Sequence, residues 1–330
     1  MRKMKSAALL KGLLLGTLAA AMVFSASTAV RAEFPEKPVT ALVGYGAGGG
    51  TDTYTRVVGK YFPKYFGQNL VVINKKGNAG QIALNEMAKV AADGYTLGPI
   101  QIPAYVIQPR VRKPGQKGFT NEQFDFLGTH ARIPGALIVR KDSPFQTLGD
   151  LVKYAKANPK KLIASVAGIG SSNHAFLARV EKLTGIQTTV VSYKGGGTIL
   201  KALLGGEINV MAANAIWATR AKDETRTLAI ASADRYQLNP DIPTFKEQGV
   251  DLVEYLTRTL VVPAGLPKDV LARLRKGVED MSKDPDFVAD MAKTGLVAHF
   301  MTAAETEAYC KNYIDGNPEM FDFFRNYGKK

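Results

Sequence analysis

The stretch ALVGYGAGGGTDTYTR, residues 41–56, holds Gly44-x-Gly46-x-x-Gly49 directly after an apolar run. Glycines between a strand and a helix let the backbone turn closely over a ligand, and the unpaired N–H groups of the helix start attract an anion. A dinucleotide site also needs an acidic residue about twenty positions on, at the end of the second strand, to hold the ribose hydroxyls. Here that strand ends Asn74-Lys75-Lys76. Lysines suit a 2′-phosphate, so this mismatch alone leaves NADP open; the export signal described below removes the chain from that cofactor. The Walker pattern fails because the glycines run into Thr51-Asp52, with no Gly-Lys-Ser/Thr. What remains is a carboxylate or phosphate site at Gly48, Gly49 and Gly50, or a tight turn with Thr51 or Asp52 as N-cap. The two readings are compatible.

The same device recurs twice. SVAGIGSSNH (165–174) places Ser171, Ser172 and His174 at another strand-to-helix turn, and SYKGGGT (192–198) adds a third with Lys194 beside it. Three such turns at matching strand ends describe a cleft lined by donors, an anion clamp. Catalytic chemistry has less support. His130, His174 and His299 make no metal-ligand spacing, Cys310 has no nearby histidine, and the chain lacks a Gly-x-Ser-x-Gly elbow. The rival reading is an exported serine-type hydrolase of a small carboxylate ester, using Ser171 or Ser172 with His174, though no third orienting group accompanies them. No cofactor and no metal is expected.

These turns require strands that end on one side of a sheet. Val39 to Val43 is a short apolar run suited to a parallel strand, and Tyr54, Val57, Val58, Tyr61, Phe62 and Tyr65 then mark one face of a helix. A strand over 69–74, a helix from Ile82 to Ala92 and a strand over 95–100 complete βαβαβ, with Gln101 at the last strand's end as a candidate ligand contact. A second series follows: strands over 162–168, 188–193, 208–214 and 226–232, with helices from Ser171 to Leu183 and from Thr198 to Leu204. Extended segments over 135–140 and 255–265 lead into and out of this second lobe. From Pro267 onward the pattern is almost all helical and is expected to pack back on the first lobe.

The first residues belong to neither lobe. Arg2, Lys3 and Lys5 precede an apolar run from Ala7 to Phe24, and small residues end at Ala29 and Ala32, the order of an export signal cut after Ala32. Its loss removes five basic residues and no acid, lowering the formal charge from +14 to +9. The remaining basic residues are scattered, which argues for a solvated surface and against nucleic acid. A single cysteine, Cys310, excludes an intrachain disulfide and reads as a buried small residue.

The blocks FPEKPVTALVGYGAGGGTDTYTRVV, VVINKKGNAG, AADGYTL, DSPFQTLGDLVKYAKANPKKLIASVAGIGSSNH, VSYKGGGTILKALLGGEINV, DIPTFKEQG and VVPAGLP stand in order from Phe34 toward the C-terminus. In this the chain resembles the extracytoplasmic solute-binding proteins of tripartite tricarboxylate transporters, the Bug family. The resemblance implies an α/β, two-lobed type II periplasmic-binding-protein fold. Each lobe would be a mostly parallel sheet flanked by helices, with two crossover segments between lobes. The first lobe would comprise residues 33–133 and 258–330, the second 134–257. It implies a receptor that closes on a small carboxylate (dicarboxylate, tricarboxylate or aromatic carboxylate) and presents it to membrane subunits, acting in the periplasm as a monomer. By the same resemblance the ligand would meet Tyr45, Ala47, Gly48, Gly49, Gly50, Thr51 and Asp52 in the first loop. In the second lobe it would meet Ser165, Gly168, Gly170, Ser171, Ser172 and His174, and Tyr193, Lys194, Gly195 and Gly196. Asn214 stands where family members often carry an aspartate, so the pocket should suit a more anionic or less aminated ligand. The usual prolines before the glycines are replaced by Gly46-Ala47, and a common tryptophan on the return crossover by Leu256-Thr257-Arg258. Trp217 and Arg220 either border the cleft or cover a helix end.

Overall fold

The computed structural model describes residues 34–112 and 115–328. The export segment expected over 1–32 lies outside them. The first apolar run is strand β1 (Val39–Val43), almost wholly buried, and the glycine turn leads into helix α1 (Gly50–Phe66). Tyr54, Val58, Tyr61 and Phe62 are buried on that helix as their spacing predicts, and Gly67, at φ 72°, ends it in the left-handed region that glycine favours. Strand β2 (Leu70–Asn74), helix α2 (Gln81–Met87) and strand β3 (Thr96–Ile100) complete the first βαβαβ unit, with β1 parallel to both neighbours. Helix α2 stops at Met87, short of the expected Ala92. Beyond it the Lys89 and Val90 N–H groups turn to carbonyls three residues back, which tightens the chain out of the α ladder.

Helix α3 (Ala104–Arg110) precedes strand β4 (Phe124–Arg140), which corrects the expectation of a short extended segment at 135–140. The second lobe follows as α4 (Leu148–Ala157), β5 (Ile163–Val166), α5 (Ser172–Thr184), β6 (Thr189–Ser192), α6 (Gly196–Leu204), β7 (Val210–Asn214), α7 (Ala215–Arg220) and β8 (Thr225–Ile230). Strand β9 (Tyr255–Pro263) then leads to α8 (Lys268–Ser282), α9 (Pro285–Lys293), β10 (Ala298–Met301), α10 (Ala303–Gly316) and α11 (Pro318–Asn326). Strand β10 breaks a tail expected to be almost all helical, and it pairs antiparallel with β4 at Ala131 and Thr129.

The sheet order is β2-β1-β3-β9-β4-β7-β5-β6. Strand β4 serves both lobes: Phe124 to Pro134 pairs antiparallel with β9, and Gly135 to Arg140 pairs with β7 and β8. Gly135 stands at the change of partner, where a Cβ would fall 2.5 Å from the Phe176 ring. Each lobe has its own core. One cluster gathers Leu137, Leu151, Leu162, Val180, Val210 and Leu228; the other gathers Met87, Ile107, Phe124 and Val261 with Cys310, Tyr313 and Phe321 of the C-terminal helices. Ala175 and Ala178 of α5 join this latter cluster, so the tail helices also touch the second lobe.

Candidate functional site

The first turn is built by close backbone approach. A Cβ at Gly44 would lie 2.5 Å from Gly80 Cα, so only glycine lets this loop sit against the next. Beside it the Tyr45 hydroxyl donates to the Ala79 carbonyl at 3.0 Å, and burial pushes its pKa up to about 12. The cap of α1 is Gly49, in extended conformation, and neither Thr51 nor Asp52 as expected. The reason is that both side chains are engaged elsewhere. Thr51 Oγ1 accepts from Gln101 Nε2 at 2.7 Å. Asp52 reaches back to accept from the Gly48 N–H at 2.9 Å and also accepts from Arg56 and Asn74. Burial alone would raise the Asp52 pKa, but these bonds together hold it below the usual carboxylate value. The first-turn N–H groups at Gly50, Thr51 and Asp52 precede the helical ladder and form the positive end of the helix.

The second lobe contributes the start of α6. A Cβ at Gly196 would lie 2.6 Å from the Trp217 indole, which therefore packs closely against this turn. Lys194 is exposed, and Tyr193 points to Glu207, 3.3 Å from its hydroxyl. Asn214 ends β7 and caps α7, its side chain accepting from the Ile216 N–H. In the 165–174 turn, Ser165 donates to the Val210 carbonyl, and Gly168 and Gly170 take left-handed φ values of 103° and 74°. Ser171 caps α5 by accepting from the His174 N–H, while Ser172 accepts from the Ala104 N–H of the first lobe at 3.2 Å. The His174 ring accepts from the Gly170 N–H through Nδ1 and is enclosed by Phe323, Phe324 and Tyr327. Burial pulls its pKa down to about 4, so it is neutral at pH 7. The Ser–His couple of the hydrolase reading is therefore not assembled: the ring nitrogen that bonds does so to main chain.

These turns meet at a cavity of about 30 Å³ between the lobes. From the expected residues it is lined by Tyr45, Gly49, Gly50, Thr51, Gln101, Gly195, Gly196 and Asn214. Ala47, Gly48, Asp52, Ser165, Gly168, Gly170, Ser171, Ser172, His174, Tyr193 and Lys194 lie outside that lining, where several of them shape the turns. Trp217 borders the cavity, and Arg220 reaches across to the Thr53 hydroxyl at 2.9 Å. Asn173, Ile199 and Met211 also line it, and the residue types at those positions carried no signal.

Sequence reasoning missed Arg258 as a site residue. It stands on β9, is 1% exposed, and lines the cavity beside Gly50, where a Cβ would come within 2.9 Å of its Nη2. Its neighbours Thr257 and Thr259 share a hydrogen bond with each other, as residues two apart on one face of a strand do. Arg258 alternates to the opposite face. Its Nε has no hydrogen-bond partner, and the groups acting on its charge are Tyr45, Tyr54, Tyr236 and Arg220, with no carboxylate among them. Burial lowers its pKa to about 10, which leaves it cationic at pH 7. A cation inside the run YLTRTLVVP was the available signal.

Among the described residues no group of three His, Cys, Asp or Glu side chains suits a metal ion, and no helix is long and apolar enough to cross a membrane. Cys310 is buried on α10, and burial pushes its thiol up to about 12. Its thiolate is the reactive form, so Cys310 is expected to resist a disulfide reagent at pH 8 in the folded protein and to react at once in denaturant. Stoichiometric labelling of the folded chain at the rate of a free thiol would contradict this placement.

Residues 54–318 match the family model TctC, the tripartite tricarboxylate transporter family receptor. Among curated proteins, the UPF0065 protein in the tcbD-tcbE intergenic region of Pseudomonas sp. (strain P51) is 30% identical over 292 residues, covering 86% of this chain and 85% of its own. The periplasmic binding protein BugD has the same fold, with a TM-score of 0.80 and 26% identity over 89% of this chain and 99% of its own. So does Rpa4515 of R. palustris, solved with adipate, at a TM-score of 0.82 and 26% identity over 88% of this chain and 98% of its own. A family model spanning most of the chain, and a two-lobed fold shared over nearly whole lengths, place this protein in the tripartite tricarboxylate transporter receptor family, with Bug proteins among its relatives.

Proposed function

We propose that this chain is an extracytoplasmic receptor that captures a small carboxylate between its lobes and delivers it to the membrane subunits of a tripartite tricarboxylate-type transporter. The lobes divide as residues 33–133 with 258–330, and 134–257. The observation that carries this reading is the meeting of two helix starts, α1 at Gly50 and α6 at Gly196, on one cavity that no acidic side chain lines. Such ends hold a carboxylate through main-chain donors. Tyr45, Gln101 and Asn214 add polar side chains around it. Ala47, Gly48 and Asp52, the turn from Ser165 to His174, and Tyr193 and Lys194 act in setting and flanking these loops. The adipate in Rpa4515 supports an organic acid as ligand. Dicarboxylates, tricarboxylates and aromatic carboxylates all present the same end. Each site is completed within one chain, which suits a monomer working in the periplasm.

The lobes must part for such a ligand. The cavity is lined by residues of both lobes, most of them buried, so a ligand reaches it only when the lobes separate. Polar bridges between the lobes include Ala104 to Ser172, Arg220 to Thr53, Tyr236 to Gly295, Arg179 to Asn317 and Tyr313 to Glu254. An acid that touches both lobes binds the closed arrangement better and draws the population toward it. Calorimetry against an acid panel, small-angle scattering and recovery of the ligand test the reading together. We expect saturable binding, a smaller radius of gyration with ligand, and the acid recovered unchanged. Turnover of the acid or its ester, or no binding by any member of the panel, would overturn the receptor reading.

A further inference from the structure

We propose that Arg258 is the specificity-determining charge of this site, and that the ligand it selects is a dianion without an amino group, one carboxylate of which becomes the counter-ion of Arg258. This rests on the receptor reading above and names the charge class of its ligand. Three observations on the molecule lead to it.

First, Arg258 is a cation taken fully out of water with no acid beside it. A buried charge without a partner is strongly unfavourable, and arginine does not relieve this by losing its proton near neutrality. Its Nε donor is also left without an acceptor. Its Nη1 reaches only the Thr257 carbonyl, at 3.4 Å, and the titratable groups acting on the guanidinium are the phenols of Tyr45, Tyr54 and Tyr236 and a second cation, Arg220. An anion in the cavity supplies the missing charge and acceptors at once.

Second, the positive potential of the cavity exceeds one unit. Arg258 contributes a full charge, and the starts of α1 and α6 contribute roughly half a charge each. Together they match about two negative charges. Arg258 and α1 stand side by side at Gly50, whereas α6 enters from the opposite lobe at Gly195 and Gly196. The two centres of attraction thus face one cavity from different lobes, an arrangement in which each can take one end of a dicarboxylate.

Third, no Asp or Glu lines the cavity. A ligand ammonium would be desolvated next to Arg258 with no carboxylate to pair with it. The side-chain acceptors on the lining, the oxygens of Tyr45, Thr51, Gln101, Asn173 and Asn214, are all neutral, and Asn214 is already engaged in capping α7. Amino acids with the same carbon skeleton are therefore rejected.

The test compares acids that differ only in charge, by calorimetry at pH 7.5. The panel pairs succinate, adipate and phthalate with their half-amides, and succinate with aspartate. For wild type we expect the best diacid to bind at least about fiftyfold more tightly than its half-amide, with aspartate weaker than succinate by a similar factor. Arg258→Gln and Arg258→Met keep most of the volume and remove the charge; in either, diacid and half-amide should bind within about threefold of each other. A diacid and half-amide of equal affinity in wild type would overturn the dianion. A folded Arg258→Gln or Arg258→Met that keeps the full preference would overturn the role of Arg258. Both outcomes leave the receptor reading standing, because an acid still binds; failure of every acid to bind wild type would sink both.

Discussion

Replacing Gly50 by valine is expected to weaken carboxylate binding by at least about a hundredfold, a loss of roughly 3 kcal/mol, while leaving the chain folded. Gly50 is the first residue of α1, and valine is no worse a helix former than glycine, so the helix itself does not oppose the change. Its surroundings are what forbid a side chain. A Cβ there would lie 2.9 Å from Arg258 Nη2 and 3.1 Å from Ile216 Cδ1, and the two methyl groups of valine would extend further into the cavity. Arg258 is fully buried and has little room to withdraw, and Ile216 belongs to the opposite lobe, so the variant also opposes closure. Gly49, the more obvious target in the sequence, would meet only the Gly46 carbonyl at 3.1 Å. Gly197→Ala is the control, since nothing lies within 4 Å of a Cβ there and the α6 start keeps its donors. Circular dichroism verifies the fold and calorimetry the affinity. Wild-type affinity in a folded Gly50→Val variant would remove this loop from the site.

The second large effect concerns stability and pH. Glu254 is buried where the second lobe hands over to β9, 2.9 Å from Arg179 and 3.4 Å from the Tyr313 hydroxyl. Burial raises its pKa from 4.5 to about 7, against the pull of Arg179 and of the Tyr313 hydrogen bond. The folded chain therefore holds this proton more tightly than the unfolded chain between those values. Its contribution to stability is present in full below about pH 4.5 and is lost as pH rises through about 7. The loss is on the order of 3 kcal/mol. Glu254→Gln keeps the shape and carries no titration, so chemical denaturation of both proteins from pH 5 to pH 8 isolates the effect. Wild type should fall relative to the variant by that amount over the interval. Parallel stability curves would show that Arg179 compensates the buried carboxylate fully. The acid side behaves oppositely. Burial holds His130 and His174 at about 4, so they remain neutral in the fold and cost stability as pH falls below about 6.5.

Local chemistry made much of this protein legible before any coordinates. The apolar run Val39–Val43, the helical spacing from Tyr54 to Tyr65 and the helix from Ser171 to Leu183 are all short-range patterns, and each became the element it predicts, the last with its end one residue on at Thr184. The three glycine turns could be read for the same reason, since a helix start offers its donors whatever lies around it. Boundaries that depend on partners were less legible. Strand β4 reaches back to Phe124 because β9 and β10 are there to pair with it, and β10 exists because β4 offers it an edge. The cap of α1 moved to Gly49 because Gln101 and Asn74, distant in sequence, engage Thr51 and Asp52.

Arg258 marks the limit most sharply. As a letter in YLTRTLVVP it is one cation in a strand, and its chemistry depends on what surrounds it. Strand alternation turns it to the cleft, and Tyr45, Tyr54 and Tyr236, from two stretches distant from it and from each other, surround it without an acid. Burial and the lack of a counter-charge are properties of that assembly. They exist only when segments two hundred residues apart are brought together, and so the tertiary structure alone turns a surface-type residue into the charge that the ligand must answer.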